Sequence, residues 1–293
     1  MLHDTRRRRF LQRLGLAAGA LTLGRSEPPL GAADKFLTSA KIGDVDLYYE
    51  VHGEGPAVVL AHGAGGTHMS WWQQVPALSQ RYTVITIDHR TFGFSRDMKN
   101  GPGRKAFVGD LKGLLDHLGI RKTALVGQSM GGTTVLGFAS AYPDRVSALI
   151  MSDTTGGYTD PEIAALRAKL PQNPRTAFAP DFPKRDPARA FLYREISAIT
   201  EAYNGPAPAA ATPPPPAAAP TDIKPVLAGR IPTLFIVGEE DQLIAPAIIE
   251  AMHKKMPGSQ FAKVPGAGHS VYFEKPDEYN RLVLTFLQQH ATT

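Results

Sequence analysis

Short apolar runs alternate with helical patterns along most of this chain, and that alternation constrains its fold more than any other feature. Pro56-Ala57-Val58-Val59-Leu60-Ala61 is apolar throughout and ends in glycines, as expected of a strand buried on both faces. A helix is then predicted over 70–80, a strand over 82–87, a helix over 104–118, a strand over 123–126, a helix over 129–142 and a strand over 146–151. After an interruption the order resumes with a strand over 232–237, a helix over 246–256, a strand over 260–264 and a helix over 275–289. Such an order means βαβ units, hence a parallel sheet with helices on both faces. Ahead of it, Ala40–Ile42 and Val45–Val51 alternate across a Gly43-Asp44 turn, an antiparallel hairpin signal.

The interruption falls between about 156 and 222. Helical patterns at 161–170 and 188–203 flank proline-punctuated sequence, and Pro206–Pro220 holds seven Pro, seven Ala and one Thr. That composition cannot build a core and reads as an extended, semi-rigid linker. The chain is therefore expected to be one core, 34–155 and 223–293, split by the insertion 156–222.

The front of the chain carries the charge. Arg6 to Arg9, then Phe10-Leu11, then a weakly apolar stretch from Leu14 to Gly24 and the small residues Gly31-Ala32-Ala33 have the order of an export signal. Arg7-Arg8-Arg9-Phe10-Leu11 resembles the twin-arginine pattern, which implies the twin-arginine translocation machinery as a transient partner and an exported, periplasmic or secreted bacterial protein. The apolar stretch is too short to span a bilayer, so no stable membrane insertion is expected after cleavage. The whole chain has a net charge of +5. Losing 1–33 takes six of 32 basic and two of 27 acidic side chains and leaves +1. A nearly neutral mature chain gives no reason to expect a nucleic-acid partner. Zero cysteine excludes disulfides, thiolate nucleophiles and a lipid-modified cysteine anchor.

Gly127-Gln128-Ser129-Met130-Gly131 lies between a buried strand and a helix. Glycines two before and two after a serine leave room for a sharp, strained turn that presents its hydroxyl at the carboxyl edge of the sheet. A hydroxyl needs an adjacent base, and the base needs an orienting acid. His269, in Gly266-Ala267-Gly268-His269, follows the last strand, and Asp241 follows the one before it, both at the strand ends where such sheets bind ligands. Asp153, ending its own strand, competes for the acid role. In His62-Gly63-Ala64-Gly65-Gly66 the glycines free an N–H, from Ala64 or failing that Gly65, to pair with the N–H of Met130 as an oxyanion hole. No Gly-Lys-Ser/Thr follows, so this is not a phosphate cradle, and His62 reads as a structural anchor.

The pocket is harder to read. Gly65, Trp71 and Phe191 are candidate substrate contacts, although Trp71-Trp72 also suits core packing. Phe178, Phe182, Phe191 and Tyr193 could roof a substrate or dock the insertion onto the core. His68, Asp88 and His89 lack any recognised ligand spacing, so no metal is expected, and no cofactor.

These motifs together resemble the α/β-hydrolase superfamily, in the branch holding esterases, enol-lactonases, carbon–carbon bond hydrolases and cofactor-free haloperoxidases. Asp88 with Gly93 and Ser95, Tyr142–Val146 and Glu274-Lys275-Pro276-Asp277 add to the likeness, which covers about 37–155 and 223–293. The resemblance implies a mostly parallel eight-stranded sheet with a small helical cap. It also implies a serine hydrolase acting on a small to medium, mostly apolar ester or lactone through an acyl-enzyme. A perhydrolase or haloperoxidase, a carbon–carbon bond hydrolase, and a non-catalytic binding protein on the same scaffold are the alternatives. One departure is Arg90-Thr91-Phe92-Gly93-Phe94-Ser95, where Thr91 stands in place of the family's glycine.

Overall fold

The computed structural model describes residues 35–170, 176–204 and 223–291. The expected export segment 1–33 and the proline-alanine run 206–220 lie outside the described residues. The sheet has eight strands: β1 Lys35–Ile42, β2 Val45–His52, β3 Ala57–Ala61, β4 Thr83–Ile87, β5 Thr123–Gln128, β6 Val146–Ser152, β7 Thr233–Gly238 and β8 Gln260–Val264. Their spatial order is β1-β2-β4-β3-β5-β6-β7-β8. β1 and β2 form the expected hairpin, turning at Gly43 with φ 58°, and β2 lies antiparallel to β4. Every later pairing is parallel.

Successive residues of the central strands feed opposite cores, which is why those strands are apolar without alternation. Val59, Leu125, Leu149, Met151, Phe235 and Val237 pack with the helices Phe107–His117, Met130–Ala141 and Pro246–Lys254. Val58, Leu60, Val126, Ile150 and Ile236 pack with Trp71, Leu78, Tyr272 and the helix Pro276–His290 on the other side. Between β6 and β7 the chain forms the helices Pro161–Ala168, Phe182–Arg185, Pro187–Asn204 and Lys224–Leu227.

The helix expected over 70–80 is instead a 3₁₀ turn, His68–Trp71, and a separate short helix, Val75–Leu78. Pro76 accounts for the break: it has no N–H to continue a ladder arriving from Trp72. The chain crosses the gap with tight bonds from Trp72 N–H to Met69 and from Gln74 N–H to Trp71, and the side chain of Gln74 donates to the carbonyl of Tyr272 at 2.9 Å.

The loop after β4 is held by charge. Arg90 is buried and makes a two-pronged contact with Asp110 at 2.7 and 2.6 Å, with Asp97 at 2.8 Å and Asp44 at 2.9 Å completing its shell. It thereby ties the loop to the hairpin and to the helix Phe107–His117. Beside it, Thr91 takes the φ of 69° that a glycine would adopt freely, a strained state for a β-branched residue.

Candidate active site

Ser129 sits between β5 and the helix Met130–Ala141 with φ 50° and ψ −113°, a backbone state L-residues seldom adopt. Neighbouring atoms leave no room for side chains on either flanking glycine. A Cβ on Gly127 would come within 2.8 Å of the Gly131 backbone, and one on Gly131 within 2.8 Å of the His62 carbonyl oxygen. The Ser129 N–H donates to the Ser152 carbonyl at 3.0 Å, and the Thr154 hydroxyl donates to the Ser129 carbonyl at 2.8 Å. The strained turn is thus clamped to β6.

His269, in the loop after β8, places Nε2 2.8 Å from Ser129 Oγ and Nδ1 2.8 Å from Asp241 Oδ2. Those contacts assign the Nδ1–H tautomer, with Nε2 free to accept the serine proton. The second oxygen of Asp241 accepts from the N–H groups of Leu243 at 2.7 Å and Ile244 at 2.9 Å, which fixes the carboxylate. All of this lies at the carboxyl ends of β5, β7 and β8, and both Asp241 and His269 are buried.

Two side chains overlooked in the sequence hold the histidine loop. Gln128 donates from Nε2 to the His269 carbonyl at 2.8 Å, while its own side chain fills the space in front of Gly63. Glu274 accepts from Gly268 N–H at 2.9 Å and from Ala179 N–H, in the insertion, at 3.0 Å. Burial pushes the Glu274 carboxyl up to about 7 against those two donors. The Gln-Ser and Glu-Lys-Pro stretches carry no sign of these roles, because Gln128 reaches His269 and Glu274 reaches Ala179 across long separations in sequence, although Gly268 is near.

In the glycine-rich loop after β3, His62 is an anchor: Nδ1 donates to the Gly63 carbonyl at 2.7 Å and Nε2 accepts from the His89 N–H at 3.1 Å. Burial holds it below the ordinary histidine range, in keeping with that neutral tautomer. Ala64 is exposed, and Met130 opens a helix, where a first-turn N–H has no intrahelical acceptor. The Gly65 carbonyl accepts from the Ser197 hydroxyl, and a Cβ on Gly65 would stand 3.0 Å from Tyr193 Oη. Gly65 therefore lies against the helix Pro187–Asn204.

The other pocket candidates are placed differently. Trp71 is fully buried and lies tilted against Tyr272 at 4.7 Å between ring centres, so it packs the core. Its neighbour Trp72 points the other way and lines a cavity of about 740 Å³ together with Tyr48, Glu50, Phe94, Leu192 and Ile196. Phe191 is 55% exposed and is not part of that wall, because it lies on the outward side of its helix. Phe178 and Phe182 are buried and meet at a tilt, 4.8 Å between ring centres, and Tyr193 meets Phe273 edge to face at 5.1 Å, so these rings dock the insertion onto the core. His68 Nδ1 contacts Asp88 at 2.9 Å while His89 Nε2 turns to Thr134 Oγ1 at 2.9 Å, so the three do not converge. Among the described residues, Asp153, Asp241 and His269 are the group whose ligating atoms come within 4.8 Å of one another.

A model of the alpha/beta hydrolase family matches residues 58–282. The chain belongs to the α/β-hydrolase family. It is similar to the structure of a thermophilic esterase from Thermogutta terrifontis, with 28% identity and a TM-score of 0.69 over 86% of this chain and 97% of that one. It is also similar to the enol-lactonase from Burkholderia xenovorans LB400, with 25% identity and a TM-score of 0.68 over 86% of this chain and 100% of that one. Among sequences, the sn-1-specific diacylglycerol lipase ABHD11 of Mus musculus is 29% identical, over 79% of this chain and 81% of its own length. An α/β-hydrolase enzyme with a mostly parallel eight-stranded sheet is the result.

Proposed function

We propose that this α/β-hydrolase is a serine hydrolase cleaving a carboxylic ester or lactone of small to medium size and mostly apolar character. The observation that carries the reading is the unbroken chain Ser129–His269–Asp241, with both contacts at 2.8 Å. His269 Nε2 takes the hydroxyl proton as Ser129 Oγ attacks the carbonyl carbon, and Asp241 stabilises the imidazolium. The N–H groups of Ala64 and Met130 stabilise the oxyanion. His269 then gives its proton to the departing alkoxide. Water, deprotonated by the same imidazole, hydrolyses the acyl-enzyme and restores Ser129. The esterase and enol-lactonase likenesses support the substrate class, and the insertion is read as a small cap over 156–222.

Turnover of p-nitrophenyl esters of graded acyl length tests this directly. Ser129→Ala and His269→Ala are each expected to reduce kcat/KM about 10⁴-fold or more with the fold intact. Wild-type turnover in either variant overturns the reading. Faster bromination with acetate and peroxide than ester hydrolysis would assign a perhydrolase instead.

Arg7-Arg8-Arg9-Phe10-Leu11 supports export by the twin-arginine route with cleavage near Ala33. Arg7→Lys combined with Arg8→Lys, the twin pair of the Arg-Arg-x-Phe-Leu pattern, is expected to leave the protein in the cytoplasm of a bacterial host. Unchanged export removes that proposal.

A further inference from the structure

The helix Pro187–Asn204 reaches the core through one polar face. Arg189 donates to the Phe273 carbonyl at 3.1 Å, and the Ser197 hydroxyl donates to the Gly65 carbonyl. Thr200 Oγ1 accepts from the Gly93 N–H at 3.1 Å, and Asn204 donates to the Gly93 carbonyl at 3.1 Å. These four residues, with Tyr193, recur at spacings of three and four, so they line one side of the helix. Their hydrogen-bond partners are main-chain groups in segments that follow strands: Gly65 after β3, Gly93 after β4 and Phe273 after β8.

Gly65 differs from the other partners in what it belongs to. Gly66 N–H donates to the Gly63 carbonyl at 3.0 Å, closing 63–66 into a β-turn with Ala64 and Gly65 at its centre. The closing bond of such a turn uses neither central N–H, so those of Ala64 and Gly65 stay available to an oxyanion. The near end of the turn is pinned by the core: the Gly63 carbonyl also accepts from His62 Nδ1 at 2.7 Å, and Gln128 packs against Gly63. The far end, the Gly65 carbonyl, is held from the insertion by Ser197.

The Ser197 hydroxyl has a choice of acceptor. Its Oγ also lies 3.0 Å from the Tyr193 carbonyl, four residues back in its own helix. A hydroxyl has one proton to give, and a carbonyl inside a helix already accepts from the backbone. The proton therefore does more on Gly65. With the helix lifted it turns back to Tyr193, so the serine keeps a partner while the turn loses one.

We infer that Ser197 is a positioning residue for the oxyanion turn: it sets the Gly65 peptide from the insertion, so the turn's donors are in place only while the helix is docked. This rests on the Ser129–His269–Asp241 reading, in which that turn meets the developing oxyanion. A hydroxyl that merely fastened the helix to the core would affect stability and leave the chemical step alone. Thr200 is the matched case, because its partner Gly93 lies in a loop assigned no oxyanion donor.

The test compares Ser197→Ala, Ser197→Thr and Thr200→Val in the full-length protein, with p-nitrophenyl butyrate as substrate. A trifluoromethyl ketone inhibitor, whose tetrahedral adduct on Ser129 needs the same donors, reads the turn without turnover. Ser197→Ala is expected to lower kcat about 10- to 100-fold with KM little changed, and to weaken the inhibitor by a similar factor. Ser197→Thr restores a hydroxyl and should recover most of both losses. Thr200→Val keeps its shape but removes the acceptor for Gly93 N–H. It should leave kcat and inhibitor affinity within about twofold of wild type, while lowering the urea midpoint as Ser197→Ala does. Wild-type kcat and inhibitor affinity in Ser197→Ala overturn the inference, as does an equal loss of either in Thr200→Val. Should Ser197→Ala fail to fold, Ser197→Cys, with its weaker donor, takes its place under the same outcomes. Ser129→Ala is run alongside: ester turnover surviving in it means that the serine reading has failed, whatever the Ser197 variants return.

Discussion

Gln128 and His269 are joined by a hydrogen bond of 2.8 Å from the glutamine side-chain amide to the histidine main-chain carbonyl. The same glutamine abuts Gly63, so one side chain braces both the histidine loop and the loop that carries Ala64. Gln128→Ala leaves a buried carbonyl without its donor and gives both loops slack. Displacements near 1 Å at a reacting group cost on the order of 10²-fold in rate. The expected result is a 10- to 100-fold fall in kcat for ester hydrolysis with KM little changed. A raised KM at constant kcat would mean that Gln128 serves binding instead.

Thr91 offers a gain. It is exposed and sits at φ 69°, so replacing it with glycine removes strain without removing packing. Relief of about 1–2 kcal/mol, set against about 0.4–1 kcal/mol of added freedom in the unfolded chain, leaves a net stabilisation of up to about 1.6 kcal/mol for Thr91→Gly. Urea unfolding reads this as a higher midpoint at constant slope. A lower midpoint would show that the threonine is held there by a contact worth more than its strain.

Arg90→Lys should be severe despite keeping the charge. Lysine cannot make the two-pronged contact with Asp110 and also reach Asp97 and Asp44, so it leaves buried carboxylates underpaired. A loss of about 3 kcal/mol or more is expected. The check is urea unfolding beside Arg90→Lys/Asp110→Asn, which should recover part of the loss.

Glu274 gives stability a pH signature. Its carboxyl titrates at about 7 in the folded protein against an ordinary value of 4.5, so between those values the folded state holds the extra proton. Its contribution to stability is therefore full below about 4.5 and is lost as pH rises through about 7. Glu274→Gln is expected to flatten that slope and to cost about 1–3 kcal/mol at pH 5, because the amide can accept from only one of Gly268 and Ala179, with the cost shrinking by pH 8, where the buried carboxylate has lost its own contribution. Unfolding free energies measured at pH 5 and pH 8 for both proteins decide this.

Much of the architecture was legible because it depends on short-range pattern. The runs that became β3, β5 and β7 are apolar through their centres, with Thr123, Gln128 and Thr233 at the ends, and a sheet covered on both faces is the arrangement that buries such runs. Ser129, Asp241 and His269 were legible as candidates because each ends a strand beside glycines that open the chain there. Trp71 and Trp72 were not separable: adjacent residues in a tight turn point apart, and which one faces inward depends on the break at Pro76. Phe191 misled for a related reason, since an aromatic residue in a helix says nothing of the side it occupies until Phe178 and Tyr193 are seen to dock. Ser197, Gln128 and Glu274 act on carbonyl and N–H groups of distant loops, and no local pattern marks such partners.

The pairing of β6 with β7 also sets an order of assembly. Leu149 lies beside Thr233, so an entire inserted segment must be threaded out before the sheet can be completed. Until then β6 is an unpaired and largely apolar edge, of the kind that recruits other chains. Loop closure over so long a stretch slows folding, although doubling such a loop adds only about 0.6 kcal/mol to its entropic cost. A growing chain stalled before Thr233 would hold Ser129 on a half-built sheet with neither Asp241 nor His269 yet in place. Asp241 and His269 thus come beside Ser129 only once β7 and β8 are in the sheet.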